Sequence, residues 1–179
     1  SEISAGYRHA CAKLANGTAR CWGDNGSGKL GDGSTVVALT PVTVVGLSTI
    51  SNIAAGGNFS CARMTTTGVK CWGSNGAGQL GDNEPWVRSM PVDVPGLGGG
   101  VKSIASGEFH TCAVTASGAV KCWGANTYGQ IGDGSTSERT MPANVTGMSS
   151  GTRQVSAGLG HSCATTDAGA ALVVAAWRP

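Results

Sequence analysis

Apolar and polar residues alternate along this chain in short runs set off by glycine. In "PVTVVGL", Pro41 to Leu47, and "PVDVPGL", Pro91 to Leu97, the two-residue period predicts strands with one buried face. No stretch has the pattern of a long helix. The segment "CAKLANGTARCWG" from Cys11 reads as a hairpin, and it returns as "CARMTTTGVKCWG" from Cys61 and "CAVTASGAVKCWG" from Cys112.

These hairpins sit inside a longer repeat. "ISAGYRHAC" begins at Ile3, "IAAGGNFSC" at Ile53, "IASGEFHTC" at Ile104 and "VSAGLGHSC" at Val155, a period of 50 to 51 residues. A self-similar unit of that length, with four short strand-like segments and no helix, marks a β-propeller blade. The repeats are read as 1–50, 51–101 and 102–152, with an incomplete unit at 153–179, all in one repeat domain. A blade cannot bury both faces alone, so the small residues Ala12, Ala62 and Ala113 are expected where neighbouring blades stack.

Cys11 and Cys21 lie equally far from Asn16, so a three-residue loop around "ANG" sets them directly opposite each other. The same separation gives Cys61 with Cys71 and Cys112 with Cys122, and opposed positions suit a cross-strand disulfide. Zinc is the competing reading, but its paired cysteines usually sit about two to four residues apart. Cys163 is left over, because the partner position ten residues on is Val173. It is expected to be buried and inert, modified, or bridged to another chain. The segment "AGAALVVAAWRP" is still able to form a third strand, with Trp177 three residues late for the repeat.

Composition narrows the function. Thirty glycines with 5% aromatics fit many tight turns in an all-β fold. Net charge is +2 with only 12% charged residues and no basic block, so nucleic acid is not an expected partner. The run "AALVVAAW" is too short to cross a bilayer, and no signal peptide is recognisable. A chain opening on Ser1 is expected to be a processed or excised product. Paired cysteines imply an oxidising compartment, hence an extracellular or cell-surface location.

With "AGYRHAC", "GEFHTCAVTASGAVKCWGANTYGQIGDG" and the long period in view, the chain closely resembles the RCC1 repeat family, over three full repeats and the first half of a fourth. The resemblance implies propeller blades. Its cysteine pairs look like those of secreted bacterial relatives. Family members are typically seven-bladed, so an open arc, or a ring completed by other copies, is expected here. The tryptophans of the family's ultraviolet photoreceptor are missing from the segment matching "GYRHA", so that function is not implied.

Several residues invite chemistry. His9, His110 and His161 share one repeat position, filled by Phe59 in the second unit, and successive blades rotate it about the axis. Structural hydrogen bonding is therefore expected of them. Trp22, Trp72 and Trp123 follow the second cysteine onto the opposite face of the strand, which predicts packing between blades. "DNGSGKLGDG" lacks the terminal glutamate of a calcium loop, and Asp32, Asp82 and Asp133 are expected to cap turns. No nucleophile–base pair, phosphate loop or dinucleotide fingerprint occurs, so no enzyme activity and no cofactor or metal is expected. Asn16, Asn25, Asn58 and Asn144 begin N-x-S/T sequons.

The segments after the three aspartates, "GSTVVALT", "NEPWVRSM" and "GSTSERTM", differ most between units. Variable loops on a rigid scaffold are the usual recognition surface, which makes Trp86, Arg88, Glu138 and Arg139 the candidate contacts. The expected function is an extracellular, non-enzymatic scaffold binding a protein partner. The alternatives are a structural subunit assembling with further copies of itself into a ring or fibre, and a glycan-binding module.

Overall fold

The computed structural model describes residues 1–66, 68–97 and 100–175, without the side chains of Val173 and Ala175. The first sheet comprises β1 (Glu2–Ala5), β2 (His9–Lys13), β3 (Ala19–Gly23) and β4 (Ala38–Thr43) in that order. The second comprises β5 (Ile50–Ala55), β6 (Phe59–Met64), β7 (Val69–Gly73) and β8 (Arg88–Asp93). The third holds β9 (Val101–Ser106), β10 (His110–Thr115), β11 (Val120–Gly124) and β12 (Arg139–Asn144). The last has three strands, β13 (Thr152–Ala157), β14 (Ser162–Thr166) and β15 (Ala171–Ala175). Every neighbouring pair is antiparallel, and the described residues contain no helix. The fold is all-β, as the repeat predicts.

Register explains the cysteines. Cys11 faces Cys21, Cys61 faces Cys71 and Cys112 faces Cys122, with each pair bridged and its Cα atoms 4.1 Å apart. In the first hairpin the Leu14 N–H donates to the Thr18 carbonyl at 2.8 Å, leaving Ala15, Asn16 and Gly17 as the loop. Gly17 has φ of 78°, the left-handed conformation that a three-residue hairpin needs and glycine adopts without strain. In the last sheet Cys163 pairs in register with Val173, so the strand is kept while the partner thiol is gone. Trp177 lies outside the described residues.

The sheets stack in sequence order, with β1, β5, β9 and β13 lying side by side along the inner edge of the stack. Three apolar cores lie between successive sheets. Cys11, Cys21, Leu30 and Val44 of the first blade meet Ile53 and Trp72 of the second; the second seam repeats this with Ile104 and Trp123, and at the third Val155 and Val174 take their places. The disulfides are thus part of the inter-blade core. Where sheets meet near the inner edge, backbones are in contact: the Tyr7 N–H donates to the Gly57 carbonyl at 3.3 Å, and the Glu108 N–H to the Gly158 carbonyl at 3.3 Å. A Cβ on Gly56 would fall 2.7 Å from the Gly107 carbonyl oxygen, which is why the turn after β5 needs glycine.

The stack does not close on itself. Ile3 is 68% exposed on the outer face of the first sheet, whereas Ile53, at the same repeat position in the second, is 2% exposed. The difference is the burial that a neighbouring blade supplies, on the order of 1.5–3 kcal/mol for such a side chain. The molecule is an arc of a propeller.

Candidate interaction surface

Two layers of structure hold the variable loops in place. The first is a polar node between blades. The Lys29 carbonyl accepts from Trp72 Nε1–H at 2.9 Å and from the Ser60 hydroxyl at 3.0 Å, and Ser60 in turn meets His9 Nε2 at 2.8 Å. At the next seam the Gln79 carbonyl accepts from Trp123 Nε1–H and the Thr111 hydroxyl, each at 3.0 Å. At the third, Ser162 donates to the Gln130 carbonyl at 3.0 Å and meets His110 Nε2 at 2.7 Å. Because each serine hydroxyl donates to a carbonyl, the imidazole is the donor to the serine. Phe59 replaces histidine at the middle seam, where Thr111 still makes its bond.

Burial keeps these histidines neutral. His9 is lowered to about 4 by desolvation and then by the nearby Lys29 ammonium, and His110 is lowered to about 4 by desolvation and then by His161. His9 and His110 serve the structural role expected from the sequence, whereas His161 is exposed and its ring makes no hydrogen bond among the described residues. Trp72 and Trp123 are fully buried between blades, while Trp22, whose outer side meets no blade, is only partly so.

The second layer is built inside each blade. Asn25, Asn75 and Asn126 are completely buried, and their Oδ1 atoms accept from the N–H of Leu30, Leu80 and Ile131 at 3.0, 3.0 and 2.9 Å. Their amide nitrogens donate to Asp32, Asp82 and Asp133, and these carboxylates also accept from the N–H two residues on, at Ser34, Glu84 and Ser135. The aspartates cap turns as expected. Burial alone would raise the Asp133 carboxyl, but Ser135 and Arg139 outweigh it and hold it at about 2. The recurrence of this asparagine in all three units is the signal of its role that the sequence carries.

The loops that follow form the exposed edge. Trp86 is 65% exposed, with Val87 and Met90 exposed beside it, and Val36, Val37 and Leu39 are exposed in the preceding blade. Adjacent loops are tied together: the Gly33 N–H donates to the Ser89 carbonyl at 3.0 Å, and the Thr140 hydroxyl to Asn83 Oδ1 at 3.0 Å. Glu138 is exposed in the third blade. Arg88 and Arg139 are occupied within their own blades, donating from Nε to Asp82 at 2.9 Å and to Asp133 at 2.6 Å. Of the four candidate contacts, then, Trp86 and Glu138 face outward unengaged, and the two arginines brace the loops. No group of three His, Cys, Asp or Glu side chains among the described residues is placed to hold a metal ion. No helix among them is long and apolar enough to cross a membrane.

Comparisons with known proteins agree with this architecture. The regulator of chromosome condensation (RCC1) repeat profile matches residues 16–63, 69–114 and 117–165, and a second profile of the same description matches 1–29, 50–79 and 101–130. A search of curated proteins found no match. Human WBSCR16 superposes with a TM-score of 0.83 at 21% identity, over 97% of this chain and 46% of that one. Yeast RCC1 (Prp20), in its structure bound to Kap60, gives 0.81 at 21% identity over 96% and 42%. The ectodomain of the receptor kinase CR4 from Physcomitrella patens gives 0.63 at 23% identity over 97% and 40%. The chain thus spans less than half the length of these structures, and at such identities the likeness shows the fold. With the repeat profile covering most of its residues, the chain belongs to the regulator of chromosome condensation (RCC1) repeat family.

Proposed function

We propose that this protein is an extracellular, non-catalytic scaffold of the secreted type that binds a protein partner through the exposed loops between the third and fourth strands of its blades. The observation that carries the reading is Trp86, a large aromatic held 65% exposed on a loop braced by the Arg88–Asp82 ion pair. A rigid loop presenting an indole with Val87 and Met90 beside it has the composition of a binding hot spot. Yeast Prp20 binds a protein, Kap60, and the CR4 ectodomain places a similar fold outside the cell. Three bridged cysteine pairs agree with an oxidising environment.

The test places a photo-crosslinking amino acid at position 86, and separately at Lys13 on a hairpin far from the loop in sequence. Discrete protein adducts from position 86 alone support the reading. Equal adducts from both positions, or adducts from Lys13 alone, overturn it.

A second reading rests on the exposed Ile3. The face around it, with Trp22, has the residues that blades two and three bury against a neighbour, so it accepts another blade, supplied by a further copy of the chain or by additional repeats. Solution mass by light scattering separates a self-assembling chain from a monomer. Glycan binding has no comparable support, because beyond the Gly-Ser-Thr shared by blades one and three the exposed loop residues differ, with Val36, Trp86 and Ser137 at one position.

A further inference from the structure

The inner strands carry a feature unrelated to the loop edge. β5, β9 and β13 each contain a bulge near their start: the pairing skips Ser51 between Ile50 and Asn52, Lys102 between Val101 and Ser103, and Arg153 between Thr152 and Gln154. A bulged residue has no cross-strand partner and its side chain is re-aimed. Here three successive blades direct their bulges to one place, a cavity of about 290 Å³ walled by Ser51, Asn52, Arg63, Lys102, Ser103 and Arg153, among others.

The wall is a donor surface. Arg63, Lys102 and Arg153 bring three of the chain's twelve lysines and arginines together, and no carboxylate lines the cavity. Arg63 spends one terminal nitrogen on the Val101 carbonyl at 3.0 Å, and its Nε–H is shielded from solvent without a partner. A buried donor left unpaired costs free energy that a bound anion recovers. Asn52 Oδ1 is buried and unpaired as well, and its orientation is fixed because its amide nitrogen donates to Glu2. The site therefore asks for a small, multiply charged oxyanion that also carries one hydroxyl donor.

We infer that this inner-edge cavity binds a phosphate group, as monohydrogen phosphate or as a phosphate monoester with an adjacent sugar hydroxyl. Charge favours a dianion over a carboxylate. The unpaired Asn52 oxygen favours phosphate over sulfate, which has no proton to give near neutral pH. At about the lower limit of ordinary ligand pockets, the volume suits a small ion or sugar phosphate rather than a larger ligand.

Isothermal titration of the whole chain at low ionic strength, with inorganic phosphate, glucose 6-phosphate, sulfate and glucose, tests the inference. Saturable binding of phosphate, at least fivefold tighter than sulfate and absent for glucose, is expected. Binding of the inorganic ion alone identifies free phosphate as the ligand, and tighter binding of glucose 6-phosphate identifies the ester. Lys102 and Arg153 are exposed and make no hydrogen bond to protein among the described residues, so the K102A/R153A double variant keeps its circular dichroism spectrum and loses at least tenfold in affinity. Raising ionic strength to about 0.15 M, where the Debye length shortens to about 8 Å, weakens binding severalfold. No saturation up to about 10 mM phosphate, equal affinity for sulfate, or an unaffected double variant overturns the inference.

Discussion

Replacing Trp72 by alanine separates inter-blade burial from blade identity, because Trp22 occupies the same repeat position on an open face. Trp72 is fully buried between the first two sheets, and its indole donates to the Lys29 carbonyl at 2.9 Å. Truncating a buried aromatic side chain to alanine costs about 3–5 kcal/mol. The Lys29 carbonyl keeps its bond from Ser60, so no orphaned acceptor adds to that figure. Trp22, half-buried with no blade beyond it, forfeits only part of the transfer term, about 1 kcal/mol. Urea unfolding followed by far-ultraviolet circular dichroism should show W72A destabilised by at least about 2 kcal/mol more than W22A, with Trp72→Phe in between. Equal losses for the two alanine variants would refute the claim that successive blades share this core.

Stability should also fall with acid in two separable windows. His9 and His110 have folded values of about 4 against 6.5 unfolded, so the unfolded chain binds more protons in between. Their contribution is complete above pH 6.5 and is lost as pH falls toward 4, by roughly 3 kcal/mol each at the limit. His110→Phe, the residue that repeat two uses at this slot, should reduce the slope of urea midpoint against pH in that range; an unchanged slope counts against neutral burial. Asp133, at about 2 when folded, adds a further loss below pH 4. C61A/C71A should lose about 3 kcal/mol on the chain-entropy estimate for so short a loop, whereas Cys163→Ser changes the unfolding midpoint little; a large effect of the latter would mean that Cys163 is bridged. Arg139→Ala frees the Asp133 carboxylate and should raise its titration measured by NMR, while leaving Arg88–Asp82 in the neighbouring blade intact.

Much of this arrangement could be read from the chain because it is local or periodic. The cysteine spacing set the cross-strand bridges, and the two-residue alternation with glycine punctuation set the strands. The side preference of Trp72 followed from its place directly after Cys71. Part of what could not be read depends on contacts some thirty to fifty residues apart, and part on the path of a loop over a few residues. Nothing local tells that the Lys29 carbonyl collects a tryptophan and a serine from the next blade. The arginines show the limit well: Arg88 and Arg139 were expected to meet a partner because arginine is enriched at hot spots. Only the fold reveals that six residues upstream an aspartate holds each of them. The bulges that aim Lys102 and Arg153 at one cavity are likewise matters of register, and no composition signal marks them.

The most direct test of the scaffold reading is hydrogen–deuterium exchange of the chain alone and in complex with the protein captured from position 86. Protection confined to residues 34–40, 83–90 and 134–141 is predicted. Protection centred instead on the hairpin turns at 14–18 and 115–119, with the loop around Trp86 unchanged, would contradict it.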